Sequence, residues 1–111
     1  MNIAHLHDLP SEPVSHNGVI GKQVMLRAGV LTSILQMARA VFPAGAEVAA
    51  HIHRDMDEVF WVESGLGVIE IEGERFPMQP QMMVAVAAGE AHAIVNDGDE
   101  PLVLLYFGCK A

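Results

Sequence analysis

The sequence holds a single cysteine, Cys109, so no disulfide can form within the chain. One thiol is compatible with a reducing compartment, and packing rather than cross-linking must hold the fold. Positive charge is scarce as well. Six Lys and Arg stand against 14 Asp and Glu, for a formal net charge of −8. This balance argues against nucleic acid or an anionic membrane as a standing partner, since both require basic surface. Long apolar runs are missing too. Val84–Ala88 and Leu102–Phe107 fall far below the roughly 20 residues that a membrane-spanning helix needs. The opening segment, Met1–Pro13, has neither a basic n-region nor an apolar h-region. No signal peptide is expected, and the cytoplasm is the expected location. Internal repeats and low-complexity segments are absent.

What is present is apolar and finely divided. Of the 111 residues 51% are hydrophobic, and the mean hydropathy is +0.31. That length predicts one domain, and the apolar surplus predicts a subunit interface, hence a homodimer. Residues 1–21 are rich in His, Pro, Ser, Asn and Gly and show no periodicity. They are expected to form an N-terminal lead-in lying across the folded domain of residues 22–111.

From Lys22 onward, short apolar runs alternate with turn residues. The predicted strands are Lys22–Arg27, Ser33–Phe42, Val48–His53, Glu58–Glu63, Gly67–Glu72, Glu74–Met78, Met83–Val86, His92–Asn96 and Leu102–Phe107. Turns are marked by Pro43-Ala44-Gly45, Ser64-Gly65, Glu72-Gly73, Gly89-Glu90 and Asn96-Asp97-Gly98, among others. Short strands with frequent turns predict an all-β sandwich or barrel. Leu31–Val41 has fair helix formers, but its β-branched residues and flanking Gly and Pro favour a strand. In Glu58–Glu63 both faces are largely apolar, which predicts a strand covered on both sides. One face would line the interior; the other would pack on a partner or on the lead-in.

The chemistry concentrates in Gly45–Glu58. His51 and His53 stand two apart, so on a strand their side chains leave one face, separated by about 6.6 Å of rise. Both imidazoles can lean onto one ion. Glu58 stands five positions past His53, an odd offset that requires Arg54-Asp55-Met56 to turn the chain and return Glu58 on the neighbouring strand. A carboxylate beside two histidines suits a divalent first-row metal. Asp55 and Asp57 are the alternatives to Glu58, and the face that Glu58 shares with Phe60 and Val62 favours Glu58. Further on, His92 opens an apolar strand on the face shared by Ile94, with Gly89 supplying a tight turn before it.

The run Gly45, His51, His53, Glu58, Gly65 resembles the first motif of the cupin superfamily at every position. The segment from Gln81 to Asn96 resembles the second motif, with Gly89, His92 and Asn96 in place. Gln81 stands where the family usually has glycine and Ala87 where it usually has proline; both departures touch turns rather than ligands. The resemblance implies a double-stranded β-helix (jelly-roll) cupin barrel, all-β, as in small single-domain members. It implies a metal site of His51, His53, Glu58 and His92 at the barrel mouth, and a homodimer. Four protein ligands to one divalent transition metal ion (Fe, Mn, Ni, Cu or Zn) leave positions open for water, substrate or dioxygen.

Other candidates read as ordinary structure. His5, His7 and His16 are expected to be solvated lead-in residues. Trp61, Tyr106 and Phe107 are expected in core or interface. Met25, Met37, Met78, Met82 and Met83 are read as gap-fillers rather than cavity lining. Gln36, Arg39 and Glu47 lie near the site in sequence, with Arg39 and Glu47 read as surface charges; Cys109 is read as inert. Cupins host many chemistries on one barrel. The resemblance therefore implies a metal-dependent enzyme on a small polar substrate, of dioxygenase, decarboxylase, isomerase or lyase type. A slight preference for oxygen chemistry follows from an expected apolar cavity poor in acid–base groups. The alternatives are a non-catalytic small-molecule binding or sensing module and a structural dimer whose metal only staples the barrel.

Overall fold

A computed structural model describes residues 1–111. Ten strands follow a short 3-10 turn at Leu6–Asp8. They are β1 (Glu12–Val14), β2 (Asn17–Leu26), β3 (Ile34–Phe42), β4 (Glu47–His51) and β5 (Met56–Ser64). Then come β6 (Gly67–Ile71), β7 (Glu74–Met78), β8 (Met83–Val86), β9 (His92–Val95) and β10 (Leu102–Lys110). One sheet runs β1-β2-β3-β10-β5-β8 and the other β4-β9-β6-β7, with every pairing antiparallel. After β3 the chain crosses repeatedly between the sheets, which is the jelly-roll winding the sequence predicts. Leu31–Val41 is not helical; β3 occupies most of it. No helix is long and apolar enough to cross a membrane.

Several expectations about strand extent need correction. β4 stops at His51, so His53 lies in the connection to β5 rather than on the strand. Pairing starts at Glu12, and β2 runs through Gly21 to Leu26, so the N-terminal segment contributes strands to the large sheet. Its His, Asn and Gly hide the pattern: Asn17 and Gly18 are not strand formers, yet β2 is held by antiparallel pairing with both β1 and β3. At the other end, β10 continues past Phe107 to Lys110 because β3 and β5 flank it on both sides.

The core lies between the sheets, where alternate residues turn inward. On β5, Glu58, Phe60 and Val62 are buried while Trp61 and Glu63 are exposed. Trp61 keeps 40% of its surface, so this strand is not covered on both sides within one chain. The lead-in cannot cover it, because β1 and β2 occupy the opposite end of the large sheet.

Turn chemistry supports the winding. Glu72-Gly73 joins β6 to β7 with φ of +51° and +79°, a two-residue type I′ hairpin. Gln81 takes φ of +70°, the left-handed conformation that a glycine would adopt without strain. The turn therefore keeps its shape despite the substitution, held by hydrogen bonds between Gln81 and Val62 and between Met82 and Val62. Ala87 has a local reason of its own. Its N–H donates to the Glu90 carboxylate at 2.7 Å, a bond that proline could not make.

Candidate metal centre

The structure brings His51, His53, Glu58 and His92 together, with one ligand atom from each lying within 4.8 Å of all the others. Strand spacing alone does not explain this. β4 and β9 pair Val48 with Ile94 and then His51 with His92, so three residues on one strand match two on the other. That bulge flips the parity of β4 and turns His51 inward on the side of Val48. Glu58 arrives differently from the expected return on a neighbouring strand. β4 belongs to the small sheet and β5 to the large one, so Arg54–Asp55 carries the chain across the barrel and Glu58 faces the histidines from the opposite wall. Asp57 points elsewhere, accepting the Ala88 N–H at 2.8 Å.

Backbone carbonyls and loop contacts set the ring orientations. The Nδ1 of His51 lies 2.9 Å from the Ala49 carbonyl, and that of His92 lies 3.1 Å from the Glu90 carbonyl. A carbonyl only accepts, so each Nδ1 carries the proton and each Nε2 is left as a donor atom for an ion. The Gly89 N–H binds the His53 carbonyl at 2.8 Å, tying the second-motif loop to the first. Further along, the fully buried Asn96 donates to the carbonyls of Phe42 and Glu100 and accepts from the Gly98 N–H. Its side chain thereby closes the loop that follows β9.

The donor chemistry fits a cation. Glu58 Oε1 lies 3.0 Å from His92 Nε2 and 3.3 Å from His53 Nε2. Two lone pairs that close repel unless a proton or a metal lies between them. Bond lengths of about 2.1 Å place the ligands of one ion at most about 4.2 Å apart, so the observed spread needs a contraction of only about half an ångström. Burial pushes the His51 imidazole below its ordinary pKa, and the neighbouring histidines act the same way against its bond to Ala49. Burial also acts to lower His92, but Glu58 and the Glu90 carbonyl outweigh it and hold the ring above its ordinary value. In the ion's absence the His92 proton would take its place.

The cluster opens onto a cavity of about 140 Å3. Its walls include Val48, Phe60, Ile94 and Leu104, together with Lys22, Gln36, Met56 and Tyr106. His16, expected to be solvated, remains exposed but stacks on His51 with ring centroids 4.4 Å apart. His5 and His7 lie away from the site and are exposed. Tyr106, expected in core or interface, lines the cavity and stacks on Phe60. Of the polar residues near the site in sequence, Gln36 lines the cavity, Arg39 pairs outside with Glu63, and Glu47 is exposed. Met78 is buried in the core, whereas Met56, which has no regular sequence signal, reaches the cavity. Lys22 was hidden because only the earlier start of β2 shows it standing between two inward apolar residues.

The cupin-domain family model matches residues 38–108. An oxalate-binding protein of Thermotoga maritima is 31% identical over 68 residues, covering 61% of this chain and 56% of that protein. An uncharacterized protein of Methanocaldococcus jannaschii is 26% identical over 69 residues, covering 62% of this chain and 55% of that protein. The chain thus spans little more than half the length of either relative. The crystal structure of a predicted oxalate decarboxylase from Thermotoga maritima superposes with a TM-score of 0.91 at 22% identity. That superposition covers 98% of this chain and 99% of the other, and at such low identity it speaks to the fold. The family match runs from within β3 to within β10 and contains all four converging side chains; the chain belongs to the cupin family.

Proposed function

We propose that this cupin is a metal-dependent enzyme acting on a small polar molecule that reaches one divalent ion through oxygen. His51, His53, Glu58 and His92 would hold the ion, with Fe, Mn, Ni, Cu and Zn all compatible with the donor set. The observation that carries the reading is their convergence on the wall of an open cavity. A site that only stapled the fold would be closed around its ion. When bound, the ion would supply Lewis acidity toward a substrate oxygen or activate dioxygen.

The chain's own residues do the rest. Phe60, Ile94 and Leu104 exclude water from one side of the cavity. The Tyr106 phenol, raised to about 12 by burial first and then by the charges of Glu58 and Glu12, stays protonated at neutral pH and offers an O–H. The preference for oxygen chemistry rests on a cavity poor in acid–base groups. Nine of the 17 lining residues are hydrophobic, but Tyr106 among them carries a phenol and the others include Lys22 and His16. Decarboxylase, isomerase and lyase chemistry therefore stand level with it.

Metal-dependent binding without turnover is the second reading, favoured by the name of the oxalate-binding relative. The test is to load the purified, untagged protein with metal, then incubate it with small oxygen-rich acids in air and under nitrogen. Product by NMR, with or without oxygen uptake, supports an enzyme. Tight binding of unchanged ligand supports the second reading. Less than about a tenth of an equivalent of metal after supplementation rejects both.

A further inference from the structure

Outside the four candidate ligands, the cavity wall carries one primary ammonium, that of Lys22. The inward residues of β2 are Ile20, Lys22 and Val24. Ile20 and Val24 are only 0% and 5% exposed, while Lys22 between them is half-buried and lines the cavity. An ammonium placed on an apolar inward row loses hydration, and that loss is uncompensated unless polar or anionic groups meet it. The chain supplies one such group: Lys22 Nζ donates to Gln36 Oε1 at 3.0 Å. No carboxylate of the chain forms an ion pair with it. Since an ammonium carries three N–H donors, two are left after Gln36.

The register puts this ammonium within reach of the metal site. Gln36 pairs with Gly108, and Gly108 pairs with Glu58. The residue that steadies Lys22 and the candidate ligand Glu58 thus share one cross-strand row, two spacings of about 4.8 Å apart. Between them stands Gly108, and the flexible Met56 side chain packs over it where a Cβ would stand. Tyr106 lies two residues before Gly108 on the same inward face and lines the same cavity.

We infer that Lys22, positioned by Gln36, anchors the far carboxylate of a compact dicarboxylate whose near oxygens meet the metal site. The inference rests on the metal reading above and names the class of molecule that the site takes. Glu12, opposite Lys22 on β1, is already engaged by Arg27 at 2.7 Å, so a neutral ligand would leave the ammonium sharing that one counter-charge, and a simple monoacid would satisfy only one end of the cavity. Size points the same way. Apolar cavities near 150 Å3 hold benzene, so about 140 Å3 suits diacids of two to four carbons.

The experiment is calorimetric and needs no turnover. Zn2+-loaded protein is titrated with acetate, oxalate, malonate, succinate and malonamate, the monoamide that lacks the second charge. At least one dicarboxylate should bind at least about tenfold tighter than both acetate and malonamate. Lys22→Met should abolish that margin while leaving Zn2+ and acetate affinity unchanged, and Lys22→Arg should restore part of it. Gln36→Glu places a carboxylate against Lys22 and should also abolish the margin, so the test does not depend on one variant folding. The inference is overturned if no dicarboxylate is preferred, or if Lys22→Met and Gln36→Glu both keep the preference. It is also overturned if acetate affinity falls in parallel. A parent protein that takes up no Zn2+ refutes the metal reading itself, which the metal titration detects separately.

Discussion

Lowering the pH should strip metal from the loaded protein while the barrel stays folded. The three imidazoles must be neutral to bind, and an ordinary histidine titrates near about 6.5. Below that value each histidine costs up to about tenfold in apparent affinity per pH unit, or up to about a thousandfold for three. The site orders the protonations. His92, held above its ordinary value by Glu58 and Glu90 against the lowering effect of burial, takes a proton at higher pH than His51, which is pushed down chiefly by burial. For the fold these two groups act with opposite sign. The raised pKa of His92 contributes stability that is fully present below the unfolded value and lost as pH rises through the folded one. The lowered pKa of His51 does the reverse, removing stability as pH falls from about 6.5 toward its folded value. The two offset. The core cluster of 13 buried residues contains no titratable side chain, and each large apolar one contributes about 1.5–3 kcal/mol at any pH. Dialysis at pH 5 against chelator, followed by elemental analysis and far-UV circular dichroism, should show metal lost and the β-sheet spectrum kept. Returning the pH to neutral with added metal should restore occupancy and any activity. A spectrum that collapses in step with metal release would refute this reasoning, because the ion would then be structural.

Replacing His53 with Ala should weaken metal affinity by at least about a hundredfold, beyond what an outer-shell partner costs, whereas His5→Ala and His7→Ala should leave calorimetric titrations unchanged. Gly65→Ala should cost more than about 2 kcal/mol in chemical denaturation. Its φ is +86°, and the new Cβ would overlap the Pro101 carbonyl and Leu102 Cα. Gly45→Ala, at φ +80° with open space around it, should cost only about 1 kcal/mol; equal losses would show that crowding at Gly65 is unimportant. Gln81→Gly should raise stability by about 0.5–1 kcal/mol by relieving a left-handed glutamine, read as a higher Tm. Trp61 and Met83, paired on β5 and β8 and 40% and 57% exposed, lie on the side of the large sheet away from the core. A homodimer is the expected way to cover that face, and light scattering that returns a monomer mass at micromolar concentration would rule it out.

Much of this protein is legible in the chain because its signals are local. A period of two marks β5, β6 and β9, and Gly and Pro mark the turns between them, since both depend only on backbone sterics and on which face is apolar. His51, His53 and Glu58 can be picked out as a short run of metal-ligating residue types, but their spacing does not settle where the side chains point. The bulge in β4, the crossing that brings Glu58 from the opposite sheet, and the contact of His16 with His51 depend on which strands become neighbours. So does the length of β2. Its polar residues carry no strand signal, and only pairing with β1 and β3 makes them a strand. Lys22 shows the distinction most clearly. In sequence it opens the first predicted strand, and nothing there marks it as part of the site. Tertiary pairing places it on an inward row between Ile20 and Val24, in the same cavity as the histidines. Burial and distance between strands are properties of the packed sheets, and no local pattern along the chain encodes them.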